Sequence, residues 1–251
     1  MTLLPKDVRR SLRGNLTPLF GSGRWLQPLT GVLLIGAGVA YSAWLLEFLL
    51  PTGVSPVRSF VSEHYVASLP HDWLFRSDDI IAGCLYLVAA VAVGRLLPRG
   101  WISTAIVLGL AVFGGTTIAD ALFVPDCLTT VDRVCLHREL TGQVSWHHIV
   151  HLGSSVISQI AVVAVLFGVE RLAAWFGTVA QRWLARFALT VVAITAIGCV
   201  TFYRAGWVGV AQRVELIVIA AATLWVAVWL LARGNRERVR GRHTRRATPR
   251  C

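Results

Sequence analysis

Three histidines lie close together at the start of an apolar stretch of the sequence. His147 and His151 are four residues apart, and His148 and His151 are three apart. Residues at these spacings share one face of a helix. Three serines continue that face deeper into the apolar stretch: Ser154, Ser155 and Ser158. Because lipid hydrocarbon offers such groups no hydrogen bonds, the face must contact other helices or a water-filled cavity.

A carboxylate is expected at a similar depth on the preceding apolar stretch. Asp120 lies about four residues, or roughly 6 Å, inside the end of that stretch, where an ionised group without a partner is costly. Two imidazoles from one helix and a carboxylate from its neighbour are enough for a zinc site with an open position for water. We therefore take Asp120, His151 and either His147 or His148 as candidate ligands of zinc or another divalent metal.

Other interpretations of these polar groups stay open. They also suit hydrogen bonding between helices, which stabilises a bundle, or a pathway for protons or ions. In a metal-dependent reaction Asp126 or Glu63 would act as general base. Arg204 and Arg213 are predicted either to reach the lipid headgroups or to bind the phosphate or carboxylate headgroup of a substrate. Arg213 and Glu215 are two residues apart, so each needs a different partner.

The elements that position these residues are predicted to be membrane-spanning helices. The 251-residue chain is 55% hydrophobic and only 15% charged, whereas soluble domains carry about 25% charged residues. Its apolar residues do not alternate with polar ones, which excludes a membrane β-barrel. Six apolar stretches are each near the roughly 20 residues that a helix needs to cross a bilayer. They lie at about 29–50, 80–97, 102–124, 149–169, 187–203 and 214–232.

The basic residues predict the orientation of these spans. Of the 24 Lys and Arg residues, which give a net charge of +11, eight lie in the polar segment 233–251. That pattern is typical of a cytoplasmic anchor and not of nucleic-acid binding. With both termini in the cytoplasm, 18 of the 24 face that side. We therefore expect a basic cytoplasmic segment 1–28, a transmembrane domain 29–232 in contact with the lipid bilayer, and a cytoplasmic Arg-rich tail 233–251.

The acidic and imidazole side chains are distributed in the opposite sense. In this orientation only Asp7, Glu170 and Glu237 of the 13 carboxylates, and His243 of the seven histidines, lie on the cytoplasmic side. Avoidance of basic residues outside explains part of this asymmetry. It does not explain why several acidic residues fall within the apolar stretches. The outward face is therefore predicted to hold the functional site.

The sequences of the outer loops predict three local features. Residues 59–69 have apolar side chains near helical spacing, which predicts an interfacial helix lying over the bundle. Ser77 and Asp78 are predicted to cap the start of the second span. Cys127 and Cys135 lie close together on an oxidising face and predict a disulfide that closes a small loop.

These motifs resemble a family of bacterial multi-span proteins catalogued as domain of unknown function 998. The resemblance covers roughly residues 29–232, and it implies an all-α, six-helix bundle of the bacterial plasma membrane without assigning a chemistry. It rests on the order and spacing of Ser62-Glu63, Asp120-Ala-Leu-Phe-Val-Pro-Asp-Cys127, Cys135, and Ser145-Trp-His-His-Ile-Val-His151 with Ser155.

A looser likeness is to the superfamily of alkaline ceramidases and adiponectin receptors. These membrane hydrolases use a serine, an aspartate and three histidines around zinc. The chain resembles them in residue types and in placing these residues near one membrane face. It has six predicted spans where the superfamily has seven, and no histidine pair on its last span. The likeness implies that Ser155 joins Asp126 and Glu63 as a candidate catalytic residue.

Two classes of function follow from these residues. The first is a metal-dependent hydrolase or transferase that acts on a lipid-like substrate at the outer leaflet. The second is a non-enzymatic membrane protein that binds a lipid or a protein partner through its outer loops. A small transporter is a third class, disfavoured by the low span count, the lack of internal repeats and the crowding of ionisable groups at one face. The oligomeric state stays open.

Overall fold

The computed structural model describes residues 25–246, with side chains described over 25–233. Within this range the chain is entirely helical, as predicted, and no β-strand is present. Two short 3-10 helices, Ala43–Phe48 and Val61–Tyr65, accompany the α-helices. The α-helices are α1 (Leu26–Ala40), α2 (Asp72–Leu96), α3 (Trp101–Leu122), α4 (Arg133–Leu140), α5 (Trp146–Phe176), α6 (Val179–Arg204) and α7 (Val208–Arg246).

Six segments are long and apolar enough to cross a membrane, which confirms the predicted number of spans. The first combines α1 with the 3-10 helix Ala43–Phe48, and the others are α2, α3, α5, α6 and the first part of α7. All six spans begin earlier than their apolar stretches, by one to eight residues. For example, α2 begins at Asp72 and α6 at Val179, whereas hydropathy placed these starts near 80 and 187. Helices continue into polar sequence beyond the hydrocarbon, and hydropathy detects only the apolar part.

The six spans form a closed ring. Each packs against the next span along the chain, and α7 packs against α1. Because the number of spans is even, the ends of the first and last span, near 26 and 233, lie at the same end of the bundle. We call the other end, which carries the loops 49–71 and 123–145, the loop end.

Among the glycines of the spans, the closest approach to the backbone of a neighbouring span is between α2 and α3. A Cβ atom added at Gly83 would lie 2.5 Å from the carbonyl oxygen of Gly114, and one added at Gly114 would lie 2.7 Å from that of Gly83. Both distances are too short for any side chain, so the two helices touch through their backbones. Small residues commonly permit such approach between membrane helices. At the other extreme, α6 is the least buried of the six spans.

The two loops at the loop end close over the ring. The 3-10 helix Val61–Tyr65 contacts α2, α3 and α7 and is largely buried. The helix in this segment is shorter than the one predicted over 59–69, and it is a 3-10 helix of five residues. The predicted disulfide Cys127–Cys135 is confirmed, and α4 follows directly from it.

The predicted cap at the start of the second span is also wrong. Ser77 and Asp78 lie in the second turn of α2 and not at its end, because the helix begins at Asp72. The Ser77 hydroxyl donates to the carbonyl of Leu74. The segments 1–24 and 247–251 and the side chains of 234–251 lie outside the described residues, so the predicted structure of the terminal segments stays a prediction.

Candidate functional site

A cavity of about 780 Å³ lies inside the ring at the loop end. Most of its wall is apolar, and aromatic side chains from the 3-10 helices Ala43–Phe48 and Val61–Tyr65 and from α6 contribute to it. Acidic side chains outnumber basic ones in its lining. The cavity is lined by six carboxylates and two histidines: Glu63, Asp78, Asp79, Asp120, Glu139, Glu215, His148 and His151.

Asp120 and His151 come together at one side of this cavity, as predicted from the sequence. Both lie near the loop end of adjacent helices, α3 and α5, that pack along their lengths. The Asp120 carboxylate accepts hydrogen bonds from the hydroxyls of Ser154 and Ser155, the latter at 3.2 Å. Its Oδ1 lies 3.8 Å from His151 Nδ1. The serine face predicted on the fourth span therefore serves, at these two positions, to hold a carboxylate.

The ring orientation of His151 is fixed by backbone groups. Nδ1 lies 3.1 Å from the carbonyl oxygen of Asp120 and 3.0 Å from that of Phe123. Carbonyl oxygens only accept, so Nδ1 carries the proton in this arrangement. The neutral ring then presents an unprotonated Nε2, and His151 lines the cavity. The site thus offers one imidazole lone pair beside one carboxylate.

A second carboxylate, that of Asp79 on α2, belongs to the same group as Asp120 and His151. Asp79 accepts a hydrogen bond from the hydroxyl of Tyr65. The Tyr65 ring packs edge-on against His151, with ring centroids 6.0 Å apart. Burial raises the pKa of Tyr65 well above its ordinary value, with the neighbouring Asp79 acting in the same direction. The phenol therefore stays a neutral hydrogen-bond donor.

Glu63 lines the cavity from the loop side and ties the two outer loops together. Its carboxylate accepts from the backbone N–H of Thr130 at 3.0 Å and from the Thr130 hydroxyl. Burial raises the pKa of Glu63, and these hydrogen bonds offset part of that rise. Glu63 and Ser155, two of the predicted catalytic residues, are therefore present in the cavity wall.

Asp126 and His148 form a separate hydrogen-bonded group around the start of α5. Asp126 accepts from the backbone N–H of Ser145 at 2.7 Å and from its hydroxyl at 2.6 Å. His148 Nδ1 accepts from the backbone N–H of Asp126 at 3.1 Å, and Nε2 donates to Glu139 at 2.9 Å. Burial alone would raise the pKa of Asp126, but the Ser145 hydrogen bonds outweigh it and lower the pKa. Asp126 is not part of the cavity lining.

The four predicted metal ligands are thus only partly brought together. His148 uses both ring nitrogens in its own hydrogen bonds. His147 is half-buried, and its ring packs against Trp146 and Phe123 outside the cavity. In the part of the chain that the structure describes, no group of three or more His, Cys, Asp or Glu side chains is arranged to hold a metal ion. Metal binding stays a prediction.

The two arginines predicted to bind a headgroup also lie outside the cavity lining. Arg213 is buried and pairs through two nitrogens with Glu47, the Nε–Oε1 distance being 2.6 Å. It also donates to the carbonyl oxygens of Ser59 and Gly209. Arg213 therefore reaches neither lipid headgroups nor the cavity, whereas Arg204 ends α6 and is exposed.

Sequence reasoning did not single out several groups that line the cavity. Asp79 had no role assigned from the sequence. Glu215 was recognised only as needing a partner other than Arg213, and it lies beside Gln159 and Thr195. Trp44 places its indole in the same part of the wall. The available signal was a carboxylate at the start of an apolar stretch, directly before it for Asp79 and within it for Glu215.

The lining residues indicate that the cavity opens sideways between α5 and α6. Four apolar side chains of these two helices border the cavity and are also largely exposed: Val156, Ile160, Ile197 and Val200. Ile197 is 86% exposed. These positions lie within membrane-spanning segments. The opening therefore faces the region that lipid chains would fill.

The chain matches one known protein family. That family is described as "Protein of unknown function (DUF998)", and the match covers residues 34–230. No curated protein and no solved structure matches the chain. The likeness to alkaline ceramidases and adiponectin receptors accordingly stays a prediction from residue types.

Proposed function

Because the chain belongs to the DUF998 family, which assigns no chemistry, we propose a function from the cavity itself: the protein binds a membrane amphiphile that enters sideways from the bilayer. The observation that carries this proposal is the opening between α5 and α6, whose apolar rim includes Ile160 and Ile197. A water-soluble ligand gains nothing from an apolar entrance within the membrane. A lipid-like molecule can pass it with its chain in contact with hydrocarbon throughout.

The interior suits the polar part of such a molecule. Ligand sites are mostly apolar, with a few placed polar groups that fix orientation. Here Asp79, Asp120 and His151 stand together at one side of the cavity wall. An amphiphile would place its head against these groups and its chain along the opening. Binding of a lipid-like molecule is common to the enzymatic and the non-enzymatic hypotheses.

The entrance can be tested by blocking it. We expect Ile197→Trp to fill the opening, and Ile194→Trp is the matched control because Ile194 is exposed on the same helix but does not line the cavity. The probes are tetradecylamine, tetradecanol and myristate, and the readout is the rise in melting temperature of the purified protein in detergent. Saturable stabilisation by at least one probe, weakened in Ile197→Trp alone, supports the proposal. No stabilisation by any probe, or equal effects of both variants, rejects it.

A metal-dependent hydrolase or transferase is the second candidate function. It is favoured by His151, whose Nδ1 faces two backbone carbonyls while the ring lines the cavity, an arrangement common among metal-bound histidines. Asp120 would be the second ligand. Zinc bound there would lower the pKa of a bound water towards about 7. Two ligands fall short of the three protein ligands usual in catalytic zinc sites, which places this candidate second.

Elemental analysis tests the metal hypothesis. A hydrolase of this kind predicts zinc at close to one ion per chain in the purified protein. We expect the zinc to be lost in His151→Ala and kept in His147→Ala, because His147 lies outside the cavity lining. A metal-free preparation that still hydrolyses amphiphilic esters or amides would reject zinc dependence, and equal metal content in both variants would reject His151 as a ligand.

We also propose that the loop end faces the outside of a bacterial plasma membrane, with both termini in the cytoplasm. The distribution of 18 of the 24 basic residues supports this orientation. A membrane-impermeant thiol reagent tests it on intact cells. Labelling of a cysteine placed at exposed Val131, with none at a cysteine placed at Arg99, supports the proposal, and the reverse pattern rejects it.

A further inference from the structure

The cavity combines many negative groups with no arginine. Of the side chains described over 25–233, six carboxylates line the cavity, and no arginine is among the lining residues. The nearest buried arginine, Arg213, is already paired with Glu47. Carboxylates gathered in an apolar surrounding cannot all ionise without a compensating positive charge. Among the lining side chains only His148, which pairs with Glu139, and His151, beside Asp120, could carry a positive charge. The other carboxylates have no basic side chain beside them in the lining, so a ligand bound here is expected to supply positive charge.

One of these carboxylates has an oxygen without a hydrogen-bond partner. Glu215 is 4% exposed, and although Gln159 and Thr195 lie beside its carboxylate, its Oε1 is buried without a hydrogen-bond partner among the described residues. Leaving a buried acceptor unpaired costs free energy, and the cost is higher for a charged group. Since Glu215 lines the cavity, a donor on a bound molecule can reach it. The unpaired oxygen therefore indicates a hydrogen-bond donor on the ligand, and this indication does not depend on the number of acidic residues.

We infer that the ligand of this cavity is an amphiphile with a primary ammonium head, a deduction that rests on the proposed entry of an amphiphile from the bilayer. A primary ammonium carries one positive charge and three donors and has no acceptor, which matches carboxylates that can only accept. Fatty acids and phosphate-bearing heads are excluded, because an anion would face six carboxylates without an arginine. A bare metal cation does not explain the apolar sideways entrance.

Aromatic side chains near Glu215 fit the same assignment. Tyr41 and Trp44 line the cavity, and the faces of aromatic rings attract cations. The apolar part of the wall continues to the opening between α5 and α6, where an alkyl chain would lie. The ammonium head is therefore expected near Glu215 and the Asp79–Asp120 group, and the chain near Ile160 and Ile197.

The ligand series on the unaltered protein provides the first test. Dissociation constants are measured from the saturation of thermal stabilisation for tetradecylamine, tetradecyltrimethylammonium, tetradecanol and myristate, at pH 7. We expect tetradecylamine to bind about tenfold or more tightly than tetradecanol and myristate not to bind. The trimethylammonium compound has the charge but no donor, so weaker binding than the amine is expected. Equal or tighter binding of tetradecanol or myristate would overturn the assignment while leaving entry from the bilayer intact.

A carboxylate-to-amide variant provides the second test. Glu215→Gln is expected to weaken tetradecylamine binding about tenfold and to leave tetradecanol binding within about twofold of the original. Glu170→Gln is the matched control, because Glu170 is equally buried but lies near the opposite end of the bundle and pairs with Arg186. Loss of amine affinity in Glu215→Gln alone supports the inference. Unchanged amine affinity in Glu215→Gln, or the same loss in both variants, would overturn it.

Discussion

Buried and half-buried carboxylates in this protein are held in two different ways. Glu47 and Glu170 are each paired with arginine, Glu47 with Arg213 and Glu170 with Arg171 and Arg186. Asp79 and Asp120, in contrast, receive only hydroxyl hydrogen bonds, from Tyr65 in one case and from two serines in the other. A carboxylate that is paired with arginine already has its charge balanced within the protein, and its role is structural. A carboxylate with neutral donors alone keeps the capacity to bind a proton or a cation.

The largest expected effect comes from breaking an arginine pair. Arg213→Ala would leave Glu47 buried without its countercharge, and we expect the free energy of unfolding to fall by about 3–5 kcal/mol. Asp120→Asn is the comparison variant, because it removes a carboxylate that has no cationic partner. We expect it to change stability by less than about 1 kcal/mol. Denaturant unfolding in detergent measures both, and equal losses would contradict the distinction between the two kinds of carboxylate.

The next largest effect is expected from the disulfide. Cys127→Ser removes the bond to Cys135, which closes a short loop, and on the loop-entropy account this costs about 2–3 kcal/mol. Thr130 lies inside the closed loop and holds Glu63, so amphiphile binding should weaken as well. Cys84→Ser is the control, since Cys84 is a free, exposed cysteine. If Cys127→Ser melts at the temperature of the control, the loop does not depend on the bond.

A smaller effect distinguishes the two ends of the bundle. Ser145 caps α5 at the loop end, and Thr178 caps α6 at the opposite end in a capping box. Ser145→Ala and Thr178→Ala should each cost about 1 kcal/mol. Only Ser145→Ala should also change ligand binding, because Ser145 holds Asp126 and the α5 start that carries His151. Equal effects of the two variants on binding would mean that the loop end is not the ligand site.

The smallest expected effect is a change in pH dependence. The raised pKa of Glu63, caused by burial, means that folding favours its protonated form. Its contribution to stability is therefore greatest below the ordinary pKa of about 4.3 and is lost as the pH rises through the folded-state pKa. Glu63→Gln should reduce the fall in melting temperature that occurs as the pH rises above about 4.3, whereas Asp132→Asn, at an exposed position, should not. An unchanged profile in Glu63→Gln would assign the dependence to another group.

The sequence was sufficient to predict the fold because the bilayer imposes strong constraints on composition. Six apolar stretches near the spanning length predicted six spans, and two cysteines on one loop predicted their disulfide. The helix starts were less predictable, since the polar residues that extend α2 back to Asp72 carry no hydropathy signal. The 3-10 helix Val61–Tyr65 depends on contacts with three distant helices, which no local pattern encodes.

The candidate site was predictable in part. Helical spacing brought Ser155 and His151 to one face, and chain order brought that face to Asp120. The same spacing could not decide which of the adjacent residues His147 and His148 faces the interior of the bundle. His148 is buried because Asp126 and Glu139 bind it from the intervening loop, a tertiary contact beyond the reach of periodicity.

The backbone contact between Gly83 and Gly114 has a geometric consequence for the site. Asp79 precedes Gly83 by one helical turn, and Asp120 follows Gly114 by less than two turns. The separation of these two carboxylates is therefore set by peptide groups in direct contact and not by side chains that can change rotamer. An alanine at either glycine would act as a wedge, widening the α2–α3 wall and spreading the acidic pair without altering a single residue of the cavity lining.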